Sequence, residues 1–336
     1  MKTLRLSDNA DGIKTAAEII KNGGIVAIPT ETVYGLAANA YNEEAVNKIF
    51  IAKGRPQDNP LIVHTCDLNM TRQVVADFTE DAKILADKFW PGPLTIILKR
   101  NQKIPSSVSA GLSTVAVRMP SNEVARRLIE VSGLPLAAPS ANTSGSPSPT
   151  SAEHVLQDLD GKIDAIIMSE DCTVGVESTV ISLITKPYKV LRPGFVTREE
   201  IQELLPETVV DKAVLQELKS DEKAASPGMK YKHYSPKTTV YLVAGDKKAF
   251  CDFVNEKENS LAVCFDEDLE DIKIKAISYG SLNDAKKQAR KIFSVLRSVD
   301  ETGVRAVYIH APKKEGVGLA VYNRLIRAAA FKVISL

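Results

Sequence analysis

The spacing of apolar positions divides the chain into two regions with different rhythms. From Gly24 to about Val196, short β-rich apolar runs alternate with only a few helical patterns. This rhythm predicts a mixed, twisted α/β sheet rather than a strictly alternating parallel one. The runs are GIVAIP, PLIVH, LTIILK, TVAVRMP, LPLAAP, DAIIMS, STVISLI and YKVLRPG. We therefore predict one large N-terminal domain over residues 1–211.

A regular β/α rhythm returns near the C-terminus. TTVYLVAG, SLAVCFD, IKAISYG and VRAVYIHAP alternate with helical stretches around Phe250, Ala289 and Leu325. This alternation predicts a small parallel sheet, and hence a Rossmann-like or flavodoxin-like α/β domain over residues 238–336. Residues 212–237, a charged helix-like piece followed by SPGMKYKHYSPK, are predicted to form a linker.

Composition narrows the class of ligand. With 43 Lys and Arg against 42 Asp and Glu, the net charge of +1 provides no global field for nucleic acid or an anionic membrane. Any anion site must therefore be local. The 4 cysteines form no C-x-x-C pair and no zinc-like spacing with histidine, which favours free thiols in a reducing compartment. No apolar stretch approaches the ~18 residues of a membrane span, so we expect a cytoplasmic protein without a membrane partner.

The stretch IAKGRPQDNPLIVH places two cations at a predicted helix end. A helix that begins after Asn42 carries Ile49 on its apolar face, and Lys53 follows on that face. A lysine before Gly54 is typical of an ordinary helix end. Arg55, two residues on, would repel it unless an anion lay between them. Both interpretations stay open here, and no P-loop pattern is present.

Two polar clusters are equally ambiguous in isolation. PTETVYGL follows the strand GIVAI, so Thr30, Glu31 and Thr32 either present ligand groups at a strand end or form a strand-to-helix turn capped by threonine. PSANTSGSPSPTSAEHV is rich in hydroxyls and is either a capped loop or a hydrogen-bonding loop for a nucleotide. GVGLA at residues 316–320 precedes a helical pattern, and a plain helix-start loop explains this glycine pair as well as a binding loop does.

Two arginines lie in predicted strands. Alternation in TVAVRMP puts Thr114, Ala116 and Arg118 on one face, so Arg118 is either a solvated edge charge or a carboxylate clamp. Arg192 in VLRPG presents the same two alternatives. Neither arginine decides a function alone.

The combination of motifs is more specific than any member. PTETVYGL, K-x-R followed by NPLIVH, S-x-N in PSANTSG, ESTV and LRPG occur in this order, and the chain thereby resembles the YrdC-type domain of L-threonylcarbamoyl-AMP synthases. SPGMKYKHYSP is similar to the linker of the longer members, which carry an extra C-terminal domain. The resemblance covers essentially the whole chain, with Ala37 standing where many members have glycine.

The resemblance implies a nucleotidyltransferase that condenses L-threonine, bicarbonate and ATP into threonylcarbamoyl-adenylate and releases pyrophosphate. Mg²⁺ is expected to accompany ATP. A downstream tRNA threonylcarbamoyl transferase complex would then modify the adenosine beside the anticodon, and a local basic groove that contacts tRNA remains compatible with the composition.

The resemblance also assigns roles to matching positions, with no metal ligands among them. Lys53 and Arg55 would be catalytic, holding phosphate oxygens and the carboxylate derived from bicarbonate. The positions implied for L-threonine are Thr32, His64, Arg118, Ser140 and Ser178. Those implied for ATP are Arg55, Asn59, Thr114, Asn142, Thr150, Arg192, Tyr231 and His233, the last two reaching over the nucleotide from the linker. His64 is either a general base or a binding or packed imidazole.

Two other functions compete with this interpretation. The N-terminal domain could be a module that binds tRNA or double-stranded RNA, although the sequence has no RRM, KH or dsRBD pattern. It could also belong to a different carbamoyl transferase that uses carbamoyl phosphate.

Overall fold

A computed structural model describes residues 2–216 and 234–336 of the chain. The N-terminal strands are β1 Leu4–Ser7, β2 Val26–Ile28, β3 Gly35–Asn39, β4 Ile62–His64, β5 Leu94–Lys99, β6 Thr114–Arg118, β7 Leu136–Ala137, β8 Ala165–Met168, β9 Thr179–Ser182, β10 Lys189–Arg192 and β11 Val209–Val210. The N-terminal helices are α1 Ala10–Lys21, α2 Glu43–Lys53, α3 Leu68–Val74, α4 Glu80–Phe89, α5 Ser106–Ser109, α6 Glu123–Ser132, α7 Ala152–Leu159 and α8 Arg198–Gln202. The C-terminal elements are β12 Thr239–Ala244, α9 Lys247–Asn255, β13 Ser260–Cys264, β14 Lys275–Ser278, α10 Ala285–Ser298, β15 Ala306–His310, α11 Gly316–Ala328 and β16 Val333–Ser335.

The N-terminal strands form one mixed sheet in the order β1-β8-β2-β3-β7-β4-β6-β5-β9-β10-β11. Strands β4 and β6 pair in parallel, whereas β3 and β5 are antiparallel to their neighbours β2 and β6. The predicted mixed α/β sheet is thereby confirmed. Every apolar run named from the sequence contains a strand, while β1, β3 and β11 were not predicted.

The two faces of the sheet have different surroundings. Val63 of β4 and Val117 of β6 belong to the main apolar core, together with Ile49 of α2. Because side chains alternate along a strand, the residues next to Val63 and Val117 in their own strands point to the opposite face. That face carries His64 and Arg118 at the ends of the same two strands, and it is where the candidate site lies.

Helix α2 begins and ends as its sequence predicts. The Asn42 side chain accepts a hydrogen bond from Ala45 N at 3.1 Å, and Gly54 takes the left-handed conformation with φ of 59°. Glycine adopts this conformation without the steric strain a Cβ would cause. The last helical residue, Lys53, is buried on the apolar face.

The C-terminal domain is a parallel sheet, as predicted. Its strands lie in the order β14-β13-β15-β12-β16, and every pairing is parallel. Numbered within the domain, this order is 3-2-4-1-5, whereas the dinucleotide-binding fold has the order 3-2-1-4-5-6. The predicted class, a small parallel α/β domain, is therefore confirmed. Its strand order differs from that of the dinucleotide-binding fold because β15 lies between β13 and β12.

One local expectation needs correction. PTETVYGL leads from β2 into the antiparallel strand β3, so the strand-to-helix alternative is wrong. The helix-like piece predicted at the start of the linker lies mostly outside the described residues, and its described start belongs to one 3₁₀ turn, Lys212–Val214. Its carbonyls are held by α11, since Arg327 donates to Ala213 O at 2.8 Å and Asn323 donates to Val214 O at 2.7 Å.

The two domains share an apolar and charged contact. Val33 and Val176 of the N-terminal domain join the apolar cluster of the C-terminal domain. Arg324 of α11 is fully buried and forms an ion pair with Glu177 at 2.9 Å. Across residues 2–216 and 234–336, no helix has the length and apolar character needed to cross a membrane.

Candidate active site

A cavity of about 60 Å³ lies on the sheet face that carries His64 and Arg118. It collects residues from segments that are far apart in sequence, with Arg55, Arg192 and Tyr234 also in its lining. Of the residues predicted for the site, the cavity is lined by Thr32, Arg55, His64, Arg118, Ser140, Asn142, Ser178 and Arg192.

Arg118 is a buried clamp rather than a solvated edge charge. Its guanidinium forms an ion pair with Glu31 at 2.7 Å, and it donates to Thr32 Oγ1 at 2.9 Å and to Gly92 O at 3.2 Å. Burial alone would raise the pKa of Glu31, but the Arg118 charge and hydrogen bond hold it below its ordinary value. These contacts therefore hold the Arg118 side chain in place beside the cavity.

His64 lies opposite Arg118 in the paired strands β4 and β6. Burial, followed by the Arg118 charge, lowers the pKa of His64 to about 3. The imidazole is therefore neutral at physiological pH, and its basicity is too weak for a good general base. Its Nδ1 is buried without a hydrogen-bond partner among the described residues, as expected of a group that waits for a ligand.

Lys53 supports the loop that carries the S-x-N motif. Its ammonium donates to Ser140 O and to Asn142 O, the latter at 2.6 Å, while its own carbonyl accepts from Ser144 N. Burial and then the Arg55 charge lower the pKa of Lys53 well below its ordinary value. Lys53 lies behind the cavity wall rather than in it, so its ammonium acts on the loop.

Arg55 is the cation of the K-x-R motif that lines the cavity. It donates from Nη2 to Asn59 O at 3.1 Å. Within the described ranges its buried Nε has no acceptor, and Asn59 Oδ1 has no donor. Burial lowers the pKa of Arg55 to about 10, which leaves it charged at neutral pH. An anion that also donates a hydrogen bond would satisfy both atoms.

The ESTV segment is held by charged and polar neighbours. Arg192 donates from Nε to Ser178 O at 3.0 Å and from Nη2 to Ser178 Oγ at 3.1 Å. The Ser178 hydroxyl also contacts Thr95 Oγ1 at 2.7 Å. These contacts fix the orientation of a serine that faces the cavity.

Glu177 and Arg324 form a pair that the sequence did not reveal. Glu177 Oε2 accepts from Arg324 Nε at 2.9 Å and Oε1 accepts from Ser148 at 2.6 Å. Arg324 also donates to Pro193 O at 2.6 Å. Burial raises the pKa of Glu177, but Arg324 and Arg192 together hold it below its ordinary value. The C-terminal domain thus holds a segment that lines the cavity.

The remaining predicted residues that the structure describes are not part of the cavity lining. The Asn59 carbonyl accepts a hydrogen bond from Arg55, and Thr114 stands at the opposite end of β6 from Arg118. The Thr150 hydroxyl meets Ser294 of α10 at 3.3 Å, at the contact between the domains. Tyr231 and His233 lie outside the described residues.

Comparison with known proteins agrees with this arrangement. Residues 18–194 match the family model Sua5_yciO_yrdC, described as "Telomere recombination", and residues 196–330 match the model "Threonylcarbamoyl-AMP synthase, C-terminal domain". The threonylcarbamoyl-AMP synthase of Pyrococcus abyssi is 45% identical over 331 residues, covering 96% of this chain and 95% of the relative. The chain belongs to the threonylcarbamoyl-AMP synthase family.

Other relatives of this family extend the match. The threonylcarbamoyl-AMP synthase of Bacillus subtilis is 42% identical over 340 residues, covering 99% of this chain and 97% of the relative. The crystal structure of P. abyssi Sua5 in complex with L-threonine is 41% identical, with a TM-score of 0.90, and covers 100% of this chain and 99% of that one. The two-domain architecture is therefore that of the full-length synthase family.

We predict that His64 makes the protein less stable in mild acid. In the folded state its pKa is about 3, against an ordinary value of 6.5. Below pH 6.5, therefore, His64 is protonated in the unfolded chain while it stays neutral in the folded chain. Stability should therefore fall by about 1 kcal/mol between pH 7 and pH 5.5 from this residue. Urea denaturation of the protein and of His64→Gln at both pH values measures the difference. An equal loss in both proteins would contradict the lowered pKa.

We also predict that Arg324→Leu lowers the free energy of unfolding by roughly 3 kcal/mol, because it leaves Glu177 buried without its nearest cation. Combining it with Glu177→Gln should cost much less than the sum of the two single changes. The matched control is Arg297→Leu, which breaks another interdomain ion pair, to Asp158 at 3.0 Å. Its effect should add to that of Glu177→Gln. Additivity in both cycles would show that the Arg324 pair is not coupled.

Proposed function

We propose that this chain synthesises threonylcarbamoyl-AMP from L-threonine, bicarbonate and ATP and releases pyrophosphate, which makes it a nucleotidyltransferase. The observation that carries the proposal is the convergence of Arg55, Arg118 and Arg192 on one cavity, together with a neutral imidazole and serine hydroxyls. Two anionic substrates that must react with one another need such a set of fixed cations. The near-complete match to synthases of this name supports the same reaction.

The threonine end of the site is built around Arg118. A guanidinium has five N–H donors, and the contacts to Glu31, Thr32 and Gly92 leave donors for the α-carboxylate of an amino acid. Neutral His64 and the hydroxyls of Ser140 and Ser178 could form hydrogen bonds with the amino and hydroxyl groups of L-threonine. The structure of the P. abyssi relative with L-threonine supports this choice of ligand.

The reaction needs alignment and charge stabilisation rather than a covalent nucleophile. The threonine amine attacks bicarbonate, and loss of water leaves a carbamate. A carbamate oxygen then attacks the α-phosphorus of ATP, a P–O bond forms, and the bond to pyrophosphate breaks. Arg55 and Arg192 are the cations that would hold the phosphate and carboxylate oxygens, with Asn142 as a further ATP contact.

Lys53 would contribute indirectly, by fixing the carbonyls of Ser140 and Asn142 and so the loop that bears their side chains. Of the other predicted ATP contacts, Asn59 is linked to the cavity by the hydrogen bond that its carbonyl accepts from Arg55. Thr114, Thr150, Tyr231 and His233 stay predictions.

Mg²⁺ would enter as part of the MgATP substrate. Among the described residues, no group of three His, Cys, Asp or Glu side chains could hold a metal ion. Beside the cavity, both oxygens of Glu177 are engaged, by Arg324 and Ser148, and Oε1 of Glu31 is engaged by Arg118, so among the described residues named here only Glu31 Oε2 is without a partner. The ATP phosphates and water would therefore supply the ligands, as is usual for Mg²⁺ with a nucleotide.

The chemical lability of threonylcarbamoyl-AMP limits which reaction can follow its synthesis. An acyl-adenylate hydrolyses readily, so a tRNA threonylcarbamoyl transferase in the same compartment would have to consume it. We place this pathway in the cytoplasm.

The reaction predicts that pyrophosphate release from ATP requires both L-threonine and bicarbonate. Release should fall to background when either is omitted, and threonylcarbamoyl-AMP should appear in equal amount by mass spectrometry. Release that ignores both substrates would overturn the proposal. Salt-dependent RNA binding without turnover would favour the RNA-binding alternative, and turnover of carbamoyl phosphate would favour the other carbamoyl transferase.

Because Arg55 lines the cavity and Lys53 lies behind its wall, we predict that substitutions at these two positions have different effects on activity and stability. Arg55→Ala should lower pyrophosphate release by about 100-fold, because it removes a charge that faces the reacting oxygens. Its unfolding free energy should change by less than about 1 kcal/mol. Lys53→Met should lower both activity and stability, the latter by roughly 2 kcal/mol, since two buried carbonyls lose their donor. Identical profiles for the two variants, in urea denaturation and in the assay, would contradict this division.

A further inference from the structure

A second crevice, of about 380 Å³, lies in the C-terminal domain away from the cavity described above. It is formed after the carboxyl ends of β14 and β15, between the first turns of α10 and α11. In parallel α/β sheets, ligands bind at this edge. The GVGLA glycines form part of its wall.

The two helices that border this crevice begin differently. In α10 the Asp284 side chain accepts from Lys287 N at 2.9 Å and caps the helix. In α11 the N-cap residue, Glu315, makes no such side-chain hydrogen bond. The first N–H groups of a helix have no partner within the helix, so those of α11 are left for an acceptor in the crevice. Anions bind well at such positions.

A buried amide gives an independent sign of a ligand. Gln288 lines the crevice and is only 1% exposed. Its Nε2 donates to Ser281 O at 2.7 Å, which fixes the orientation of the amide. Its Oε1 is buried and has no donor within the described parts of the chain. Because buried polar atoms are nearly always paired, the ligand should carry an O–H or N–H group.

The charges around the crevice limit the size of the anion. Lys286 and Lys313 line it, but so do Asp284 and Glu315, so the formal charges balance. The Lys313 ammonium lies 3.1 Å from Asn283 Oδ1, which holds it at the wall. This balance suits a singly or doubly charged group and disfavours a triphosphate.

We propose that this crevice binds a protonated phosphate group, either inorganic phosphate or a phosphate monoester. Its oxygens accept from the first N–H groups of α11 and from Lys313, and its P–O–H donates to Gln288 Oε1. The site does not depend on the function proposed for the N-terminal cavity. The helices α10 and α11 nevertheless run from this crevice to Arg297 and Arg324, which contact the N-terminal domain.

Backbone NMR of the full ¹⁵N-labelled chain can test the proposal. Titration with inorganic phosphate should give saturable shifts of the Gly316 and Gly318 amides and of the Gln288 side-chain amide. Sulfate has the same shape but no proton at neutral pH, so it should bind about 10-fold more weakly. Adenosine monophosphate in place of phosphate, compared at about pH 6 where roughly half of its phosphate group carries a proton, distinguishes a monoester ligand from the free ion.

Variants separate this crevice from the catalytic cavity. Lys313→Ala should raise the phosphate dissociation constant by about 5-fold, whereas Lys273→Ala, an exposed lysine outside the lining, should not change it. Gln288→Leu should abolish the preference for phosphate over sulfate. If that variant does not fold, the sulfate comparison on the unaltered chain still decides the role of Oε1.

Three results of these experiments would contradict the proposed phosphate site or its contacts. Absence of saturable shifts at Gly316 and Gly318 would overturn the site, as would shifts confined to amides near Arg55. Equal binding of phosphate and sulfate would refute the contact to Gln288. If the amides near Arg55 do not shift while those of Gly316 and Gly318 do, the result counts against the proposed function but not against the phosphate site in the crevice.

Discussion

A buried cation is stable only where oxygen atoms replace its lost water, and this constraint organises the N-terminal cavity. Arg118 is matched by Glu31, and Arg324 by Glu177. Lys53 has carbonyl oxygens instead of a carboxylate. The loops that carry PTETVYGL, PSANTSG and ESTV supply these oxygens, so the same contacts that stabilise the charges also set the positions of the loops.

The constraint gives the C-terminal domain a physical role. Glu177 is buried beside the cavity, and its nearest cation comes from α11, 147 residues further along the chain. Arg324 also binds the carbonyl of Pro193, directly after the strand that ends at Arg192. The second domain therefore braces two segments of the cavity wall at once, and docking of the domains and order in the site are parts of one network.

The sequence could predict what depends on local patterns. Strands followed from apolar runs, and the limits of α2 followed from Asn42 and Gly54, because capping and alternation involve only near neighbours. The family resemblance named eight of the residues that meet at the cavity. The Arg324–Glu177 pair could not be predicted, since an arginine on an apolar helix carries no local sign of a partner in another domain. The ambiguity of PTETVYGL likewise ended only when β3 was seen to pair with β2.

The buried charges also explain why an anion is the natural ligand. Arg55 contributes to the lowered pKa of Lys53 behind the wall, and Arg55 itself keeps an Nε without an acceptor among the described residues. An anion at Arg55 would weaken the repulsion between the two cations and so offset the smaller of the two main causes of the lowered Lys53 pKa, since burial is the larger one. A negative charge bound in the cavity would thereby also favour the residue that holds the S-x-N loop from behind the wall.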